Sequence, residues 1–342
     1  MWDFSLGTAM GLMRKTMPYL LFRMAVYFGI AVAYVLVTGT GAGVGYGIGG
    51  FGDDDFRAGS TAWGGIIGFG VTAGVIYLLR EYLLYVVKAG HIAVMVEHLD
   101  GRPLPDGKGQ IAYGKQIITE RFTEASVLFG VDQLVKGVIN AITGLIQGLL
   151  SIIPIPGLDK VMGLVRAYLR VSVGLLDEVI LAHGIRTRSN NPWQSAKTAL
   201  VLYGQNAKPM LRNAAWLTLF TYGLSLIVFL VMLAPAAGLV YLMPGAWSAG
   251  GVVFAILFAW AVKVALIEPF AIACLLQAFF KVTDGQTPNP EWEAKLDRAS
   301  AKFKSLGAKA AQWVGGNTGV GGNTGGRMAH LPTDTVPPVT PR

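Results

Sequence analysis

Apolar positions in this chain come in long unbroken runs, not in the two-residue alternation of half-buried strands or the one-sided stripe of a surface helix. The first run, 19–38, is about 20 residues long, enough at about 1.5 Å per residue to cross a ~30 Å hydrocarbon core. It exceeds the ~7–15 residues of a signal-peptide core and reads as an uncleaved span. It leads into Gly41, Gly43, Gly45, Gly47, Gly49 and Gly50, then into a loop holding Asp53, Asp54 and Asp55. A second span starts near Ala62 and passes Leu79. Its apolar character persists through 82–96 despite Arg80, Glu81 and Lys88, which predicts a long helix whose amphipathic end lies along the membrane surface. After a polar loop, 97–124, broken by Gly101, Pro103 and Pro105, two apolar stretches, 127–155 and 159–183, flank the turn at Pro154, Pro156 and Gly157 and predict a helical hairpin. A polar loop, 184–212, precedes a span at 213–232 that extends towards 241. An uncharged loop then leads to a last span, 251–280, interrupted by Lys263 and by Glu268-Pro269.

The expected fold is an all-α, polytopic integral membrane helical bundle of about six transmembrane helices, or four if the central hairpin is re-entrant or interfacial. The membrane domain covers 1–286 and a charged helix 287–314. The tail, 315–342, carries Gly-Gly-Asn-Thr-Gly twice and a Pro-rich end, a composition that cannot bury a core and predicts disorder.

Composition agrees. Hydrophobic residues make up 53% of the chain, charged residues 14%, and mean hydropathy is +0.51, against roughly 25% charge in a soluble domain. A soluble protein of this balance would expose large apolar patches, and lipid removes the conflict. The 45 glycines are about twice the usual share and suit closely packed membrane helices. Net charge is +8. The basic residues gather between spans, so anionic lipid and topology account for them and no nucleic acid is implied. Their distribution puts both termini and the long loops in the cytoplasm of a cell with the chain in its inner or plasma membrane. The lone Cys274 allows no disulfide framework.

Candidate chemistry is sparse. Gly45 to Gly50 matches G-x-G-x-x-G, but a dinucleotide site needs a strand before it, and here a span precedes it. His91, His98, His183 and His330 are scattered, whereas a metal needs three or four converging ligands. No nucleophile–base pair or carboxylate dyad stands out, so no enzyme, metal or cofactor is expected. Asp177 and Glu178 are adjacent and should point about 100° apart on a helix, one pairing inward and the other reaching the interface. Folding the hairpin about residue 156 sets Lys136 at the depth of Asp177, an expected interior ion pair. The main functional pointer is the last span. Pro269 removes a helical hydrogen bond and frees a carbonyl near 265, and Glu268 and Lys263 put ionisable groups near mid-membrane, where solute paths are lined. Arg166 and Arg170 complete the expected polar path, or else one of them pairs with Glu268. Gly64/Gly68, Gly70/Gly74 and Gly144/Gly148 are G-x-x-x-G pairs expected to pack helices within the chain or between copies.

Residues 161–286 resemble the C-terminal half of the choline transporter-like family. The likeness rests on Ser195-Ala196-Lys197-Thr198-Ala199, Asn206 and Arg212-Asn213-Ala214, and on Ala265-Leu266-Ile267-Glu268-Pro269-Phe270-Ala271-Ile272 with Thr283-Asp284-Gly285. Ile272 stands where the family carries an acid, and the family's cysteine-rich outer loop is absent. The resemblance implies a transporter-like helical fold with the hairpin as two spans. The expected function is therefore passage of a small solute or ion through a polar helical interior. The rival is a non-catalytic membrane subunit or scaffold, binding a second copy or a membrane partner through its glycine-rich helix faces, and cytoplasmic proteins through its basic loops and tail.

Overall fold

The structure is a computed structural model that describes residues 2–79, 84–104, 109–121, 130–131, 133–135, 137–138, 175–241 and 250–313. Every regular element among them is helical. Four helices are long and apolar enough to cross a membrane: 17–49, 54–77, 207–238 and 251–282. Six spans are not borne out among the described residues, and 139–174, most of the expected central hairpin, lies outside them.

The spans form two hairpins. Helix α1 (Leu6–Lys15) is capped by Ser5, whose Oγ accepts from Thr8 N at 3.2 Å, and Thr16 separates it from α2 (Met17–Gly49), which opens on Pro18. Helix α3 (Asp54–Leu79) starts where Asp53 Oδ1 accepts from Phe56 N at 2.7 Å. It runs back along α2, and the contact is backbone on backbone. A Cβ on Gly41 would strike the carbonyl of Gly64, one on Gly64 the carbonyl of Gly41, one on Gly45 the carbonyl of Ser60, and one on Gly68 the carbonyl of Val37, each under 3.0 Å. Gly45 and Gly49 of the G-x-G-x-x-G run thus serve helix contact. Gly70 and Gly74 have nothing within 4 Å of an added Cβ, while Gly144 and Gly148 lie outside the described residues.

The second hairpin comprises α8 (Ala207–Tyr241) and α9 (Gly250–Val262). It meets the first through Val35, Ala236, Phe254 and Ala255. Leu36, Ile66, Leu226 and Val231 around this bundle keep more than half their surface exposed, a belt that lipid would cover.

At one end of the bundle sits a helical domain with a protein-like core. It gathers α1, α4 (Tyr85–Leu99), α5 (Gln110–Arg121), α6 (Leu176–Arg186), α7 (Pro192–Gln205), α10 (Glu268–Val282), α11 (Pro290–Ala299) and α12 (Ala301–Gln312). Ile92, Met95, Val179, Ile185, Leu200, Ile272, Leu275, Phe279, Phe303 and Leu306 fill its interior. Helix α4 is not the surface-lying amphipathic end expected from sequence. Every residue from Ala89 to Glu97 is buried, because protein surrounds this helix on all sides. The expected charged helix at 287–314 is two helices. Ser300 ends α11 in an extended conformation and caps α12 through Phe303 N at 3.3 Å. Helix α12 docks on the α6–α7 side through Asn191 Nδ2 to Ala310 O at 2.8 Å and Trp313 Nε1 to Asn190 O at 2.8 Å, and Lys197 Nζ meets Glu293 of α11 at 2.5 Å.

Candidate functional site

The final span changes character at its centre. Residues Lys263–Ile267 between α9 and α10 form one wide π turn. The last backbone bond of that turn runs from Glu268 N–H to Lys263 O. The next donor in the series would serve Val264 O, but position 269 is proline and has no N–H. Arg23 of α2 supplies the missing donor, its Nη2 reaching Val264 O at 2.7 Å. The freed carbonyl expected from Pro269 is thus real and is satisfied by a side chain 241 positions away. π turns inside helices concentrate at functional positions.

Arg23 is fully buried, leans over the Tyr27 ring at 5.7 Å, and leaves Nε and Nη1 without a hydrogen-bond partner. Sequence reading passed over it. The signal was present, since Arg23 is the one ionisable group within the run 19–38 apart from tyrosine. Arg23→Met should destabilise the chain by about 1–3 kcal/mol, the usual penalty for an orphaned buried acceptor. In a Pro269→Ala background, where an N–H returns, the loss should shrink by about 1 kcal/mol. Denaturation of the four proteins in lipid nanodiscs gives the cycle, and additive losses would remove the capping role.

On α4, next to this turn, Lys88 is ringed by carboxylates. Its Nζ lies 2.5 Å from Glu178 Oε1, 3.7 Å from Asp177 Oδ2 and 3.9 Å from Glu268 Oε1. Asp177 and Glu178 occupy the first turn of α6, where the helix dipole favours acids. Contrary to the expected split, both reach the same ammonium, because the flexible lysine stem brings Nζ between them. The Glu178 side chain is 2% exposed, that of Asp177 11%, of Lys88 19% and of Glu268 22%, so the group is a buried floor with a partly open rim. Burial alone would pull the Lys88 ammonium down, but the three carboxylates outweigh it and hold it well above the ordinary lysine value. Burial first, then the charge of Asp177, push Glu178 well above the usual carboxylate range against the pull of Lys88.

The sequence-derived path is therefore brought together in part. Glu268 and Asp177 converge, on Lys88. Pro269 is buried behind them, while Lys263 is exposed. Lys136, Arg166 and Arg170 lie outside the described residues. The depth of Glu268 also differs from the mid-membrane expectation. Val252, Val253 and Ile256 of α9 are exposed to the lipid belt, whereas Ala271 to Leu276 of α10 are buried in the helical domain. The cluster marks the junction of the two.

Two further polar groupings flank it. His91 is fully buried, stacks on Tyr19 at 5.0 Å and shares a 3.0 Å hydrogen bond with Thr16 Oγ1. Burial first, with the Arg23 charge, pushes its imidazole well below the ordinary value. Farther along α10, a cleft of about 430 Å³ is lined by Asp3, Asp100, Arg186, Gln277 and Lys281. Its acids are paired: Asp3 with Arg212 at 2.7 Å, and Asp100 with Arg102 and Arg186, each at 2.9 Å. Among the described residues no three His, Cys, Asp or Glu side chains converge to hold a metal.

Nearby, His183 meets the edge of Phe279, and burial, then the Arg186 charge, push its imidazole down to about 4. The unfolded chain gains this proton near 6.5 and the folded one resists it, so the stabilisation is complete above that value and is lost as pH falls towards 4, up to about 3 kcal/mol. Thermal unfolding at about pH 7 and about pH 5 should show His183→Gln losing less on acidification than the parent chain. Equal losses would contradict the assignment.

Comparison with known protein families, with curated proteins and with solved structures gives no match. The reading of function therefore rests on the junction itself.

Proposed function

We propose that this multi-pass membrane protein is a transporter- or channel-like protein, not an enzyme, and that it passes a small ion or solute by way of the junctional cluster. The observation that carries the reading is a buried ammonium shared by three carboxylates beside a broken span. Ionisable groups held at a discontinuous membrane helix are expensive, and they recur where ions or solutes are bound in transit. The rim carboxylate, Glu268, links the span to α4 and α6, so ion binding there and movement of the α10 segment are mechanically joined. The choline transporter-like resemblance in the same segment points the same way. The excess of Lys and Arg in the loops favours both termini in the cytoplasm of a cell-membrane protein.

The test is flux. Purified full-length chain in liposomes should dissipate at least one imposed gradient of protons, potassium chloride, choline chloride or glycerol, followed by a trapped pH dye or by light scattering. Glu268→Gln should reduce that rate at least tenfold while keeping helical content and assembly. Absence of flux for every probe, or an unchanged rate in the variant, would overturn the reading.

The scaffold reading is favoured by a different observation. Helix α3 packs chiefly on α2 and leaves Gly70 and Gly74 facing open space, a surface on which another membrane helix could lie closely. With the loops and tail as its cytoplasmic contact, that reading predicts that a co-purifying partner is lost when 315–342 is deleted, a cut that spares the core helices α11 and α12, and an unchanged pull-down would count against it.

A further inference from the structure

We infer that Glu178 holds an exchangeable proton at neutral pH, and that a proton is the ion the junctional cluster takes up and releases. The second half of this inference rests on the transport reading; the first does not.

The argument begins with charge. Among the described residues, one ammonium faces three carboxyl groups. The other charged groups on the neighbouring elements are, among the described residues, otherwise engaged or exposed. His91 of α4 is engaged with Thr16, Arg23 of α2 is directed to Val264 O, and Lys263 of the π turn is exposed. Lys88 can neutralise one carboxylate, and a second unpaired charge in this interior costs several kcal/mol. The least expensive relief is to protonate the deepest acid.

Glu178 is that acid. Its Oε1 contacts Lys88 at 2.5 Å, while Oε2 of the same carboxyl is buried without a partner. A carboxylate oxygen so placed has lost its water and gained nothing, whereas a protonated one carries no charge to solvate. A metal cation fits poorly, because Lys88 Nζ already stands where the carboxylates converge; a proton needs a single oxygen. Uptake forms one O–H bond on Glu178 with a proton that enters past the partly exposed Asp177 or Glu268. Release breaks the same bond and returns the proton to solvent, and no electron moves. Because the adjacent Asp177 and Glu178 carboxyls meet at the same ammonium, the proton belongs to that pair as a titrating unit, with Glu178 its principal holder.

The experiment is infrared spectroscopy of the full-length chain in lipid nanodiscs at neutral pH. The expected result is a protonated-carboxyl C=O band, equivalent to one group per chain, that shifts in heavy water, disappears in Glu178→Gln and survives in Glu268→Gln. If Glu178→Gln does not fold, the unaltered chain still decides. Its band must persist on raising the pH beyond the range in which exposed glutamates ionise. Absence of the band, or its survival in Glu178→Gln, overturns the proton site. In a parallel arm, liposomes loaded with pyranine under a potassium diffusion potential should acidify only when the chain is present. A band without proton, potassium, choline or glycerol flux keeps the proton site and removes the transport reading. Potassium, choline or glycerol flux without the band overturns the proton and leaves transport standing.

Discussion

Lys88→Met is expected to be among the most damaging single substitutions in this chain, at about 3–5 kcal/mol, the range seen when one member of a buried ion pair is removed. Methionine keeps the length and apolar volume of the lysine stem, so the change isolates the charge. What remains is three carboxyl groups around the place the ammonium held, with Glu178 almost fully buried. Further protons must then be bound on folding, and the penalty should grow as pH rises. Adding Asp177→Asn to Lys88→Met should recover about half of the loss, because it removes a carboxylate left without its counter-ion. Lys88→Arg should not restore the parent stability, since a planar five-donor fork does not fit where a point charge with three donors sits. Equilibrium unfolding in nanodiscs at two pH values measures all of this. A Lys88→Met protein within about 1 kcal/mol of the parent would mean that the cluster contributes no cohesion.

The size of this effect follows from what the cluster joins. Lys88 belongs to α4, Asp177 and Glu178 to α6, and Glu268 to the top of α10, directly after the π turn. Below the turn, α10 is anchored in the helical domain by Ile272, Leu275 and Phe279. Above it, α9 packs in the membrane bundle through Phe254 and Ala255. The cluster and the Arg23 cap are therefore polar fastenings at a place where span and domain are continuous in chain but interrupted in hydrogen bonding. A protonation change there would alter the electrostatic grip on the α10 segment beside the π turn, the route by which the proposed ion binding would be coupled to movement.

How much of this was legible in the sequence depends on what distinguishes lipid from protein as a surrounding. The spans at 19–38, 213–232 and 251–280 correspond to α2, α8 and the α9–α10 helix, because long apolar runs have few other uses. Helix α4 misled because Arg80, Glu81 and Lys88 in an apolar stretch read as the polar face of a surface helix, whereas protein buries α4 from Ala89 to Glu97 and Lys88 meets the acids of α6. Glu268-Pro269 announced the break in the last span, yet nothing local could reveal that Arg23 would fill the orphan carbonyl or that Lys88 would gather the acids, since those partners are set by tertiary packing. Adjacent Asp177 and Glu178 looked divergent because helical geometry fixes Cβ directions, not the reach of a lysine placed between them. Lys136, Arg166, Arg170, Gly144 and Gly148 fall outside the described residues, and their expected roles stay with the sequence.

The second large effect is expected in the first hairpin, where Gly41→Leu and Gly64→Leu should each prevent α2 and α3 from closing. Even a methyl group is too large. The Cβ of an alanine at 41 or 64 would press into the facing carbonyl, which is backbone and cannot rotate away. The two helices must then separate along their length, forfeiting the dispersion contacts that hold membrane helices together in the absence of a hydrophobic drive. Alanine at 41, 45, 64 or 68 should cost about 1–3 kcal/mol each, as overpacking does, and leucine more. Gly70→Ala and Gly74→Ala provide the control. Both lie on the same helix and carry the same modest gain in helix propensity, but each meets open space, so neither should destabilise the isolated chain. If a second copy or partner helix covers that face in the membrane, the two groups of substitutions separate by assay. The 41/64 set would lower unfolding stability in dilute nanodiscs, whereas the 70/74 set would change only self-association, read by energy transfer between labelled chains. Equal loss of stability in both sets would show that the hairpin does not close on Gly41, Gly45, Gly64 and Gly68.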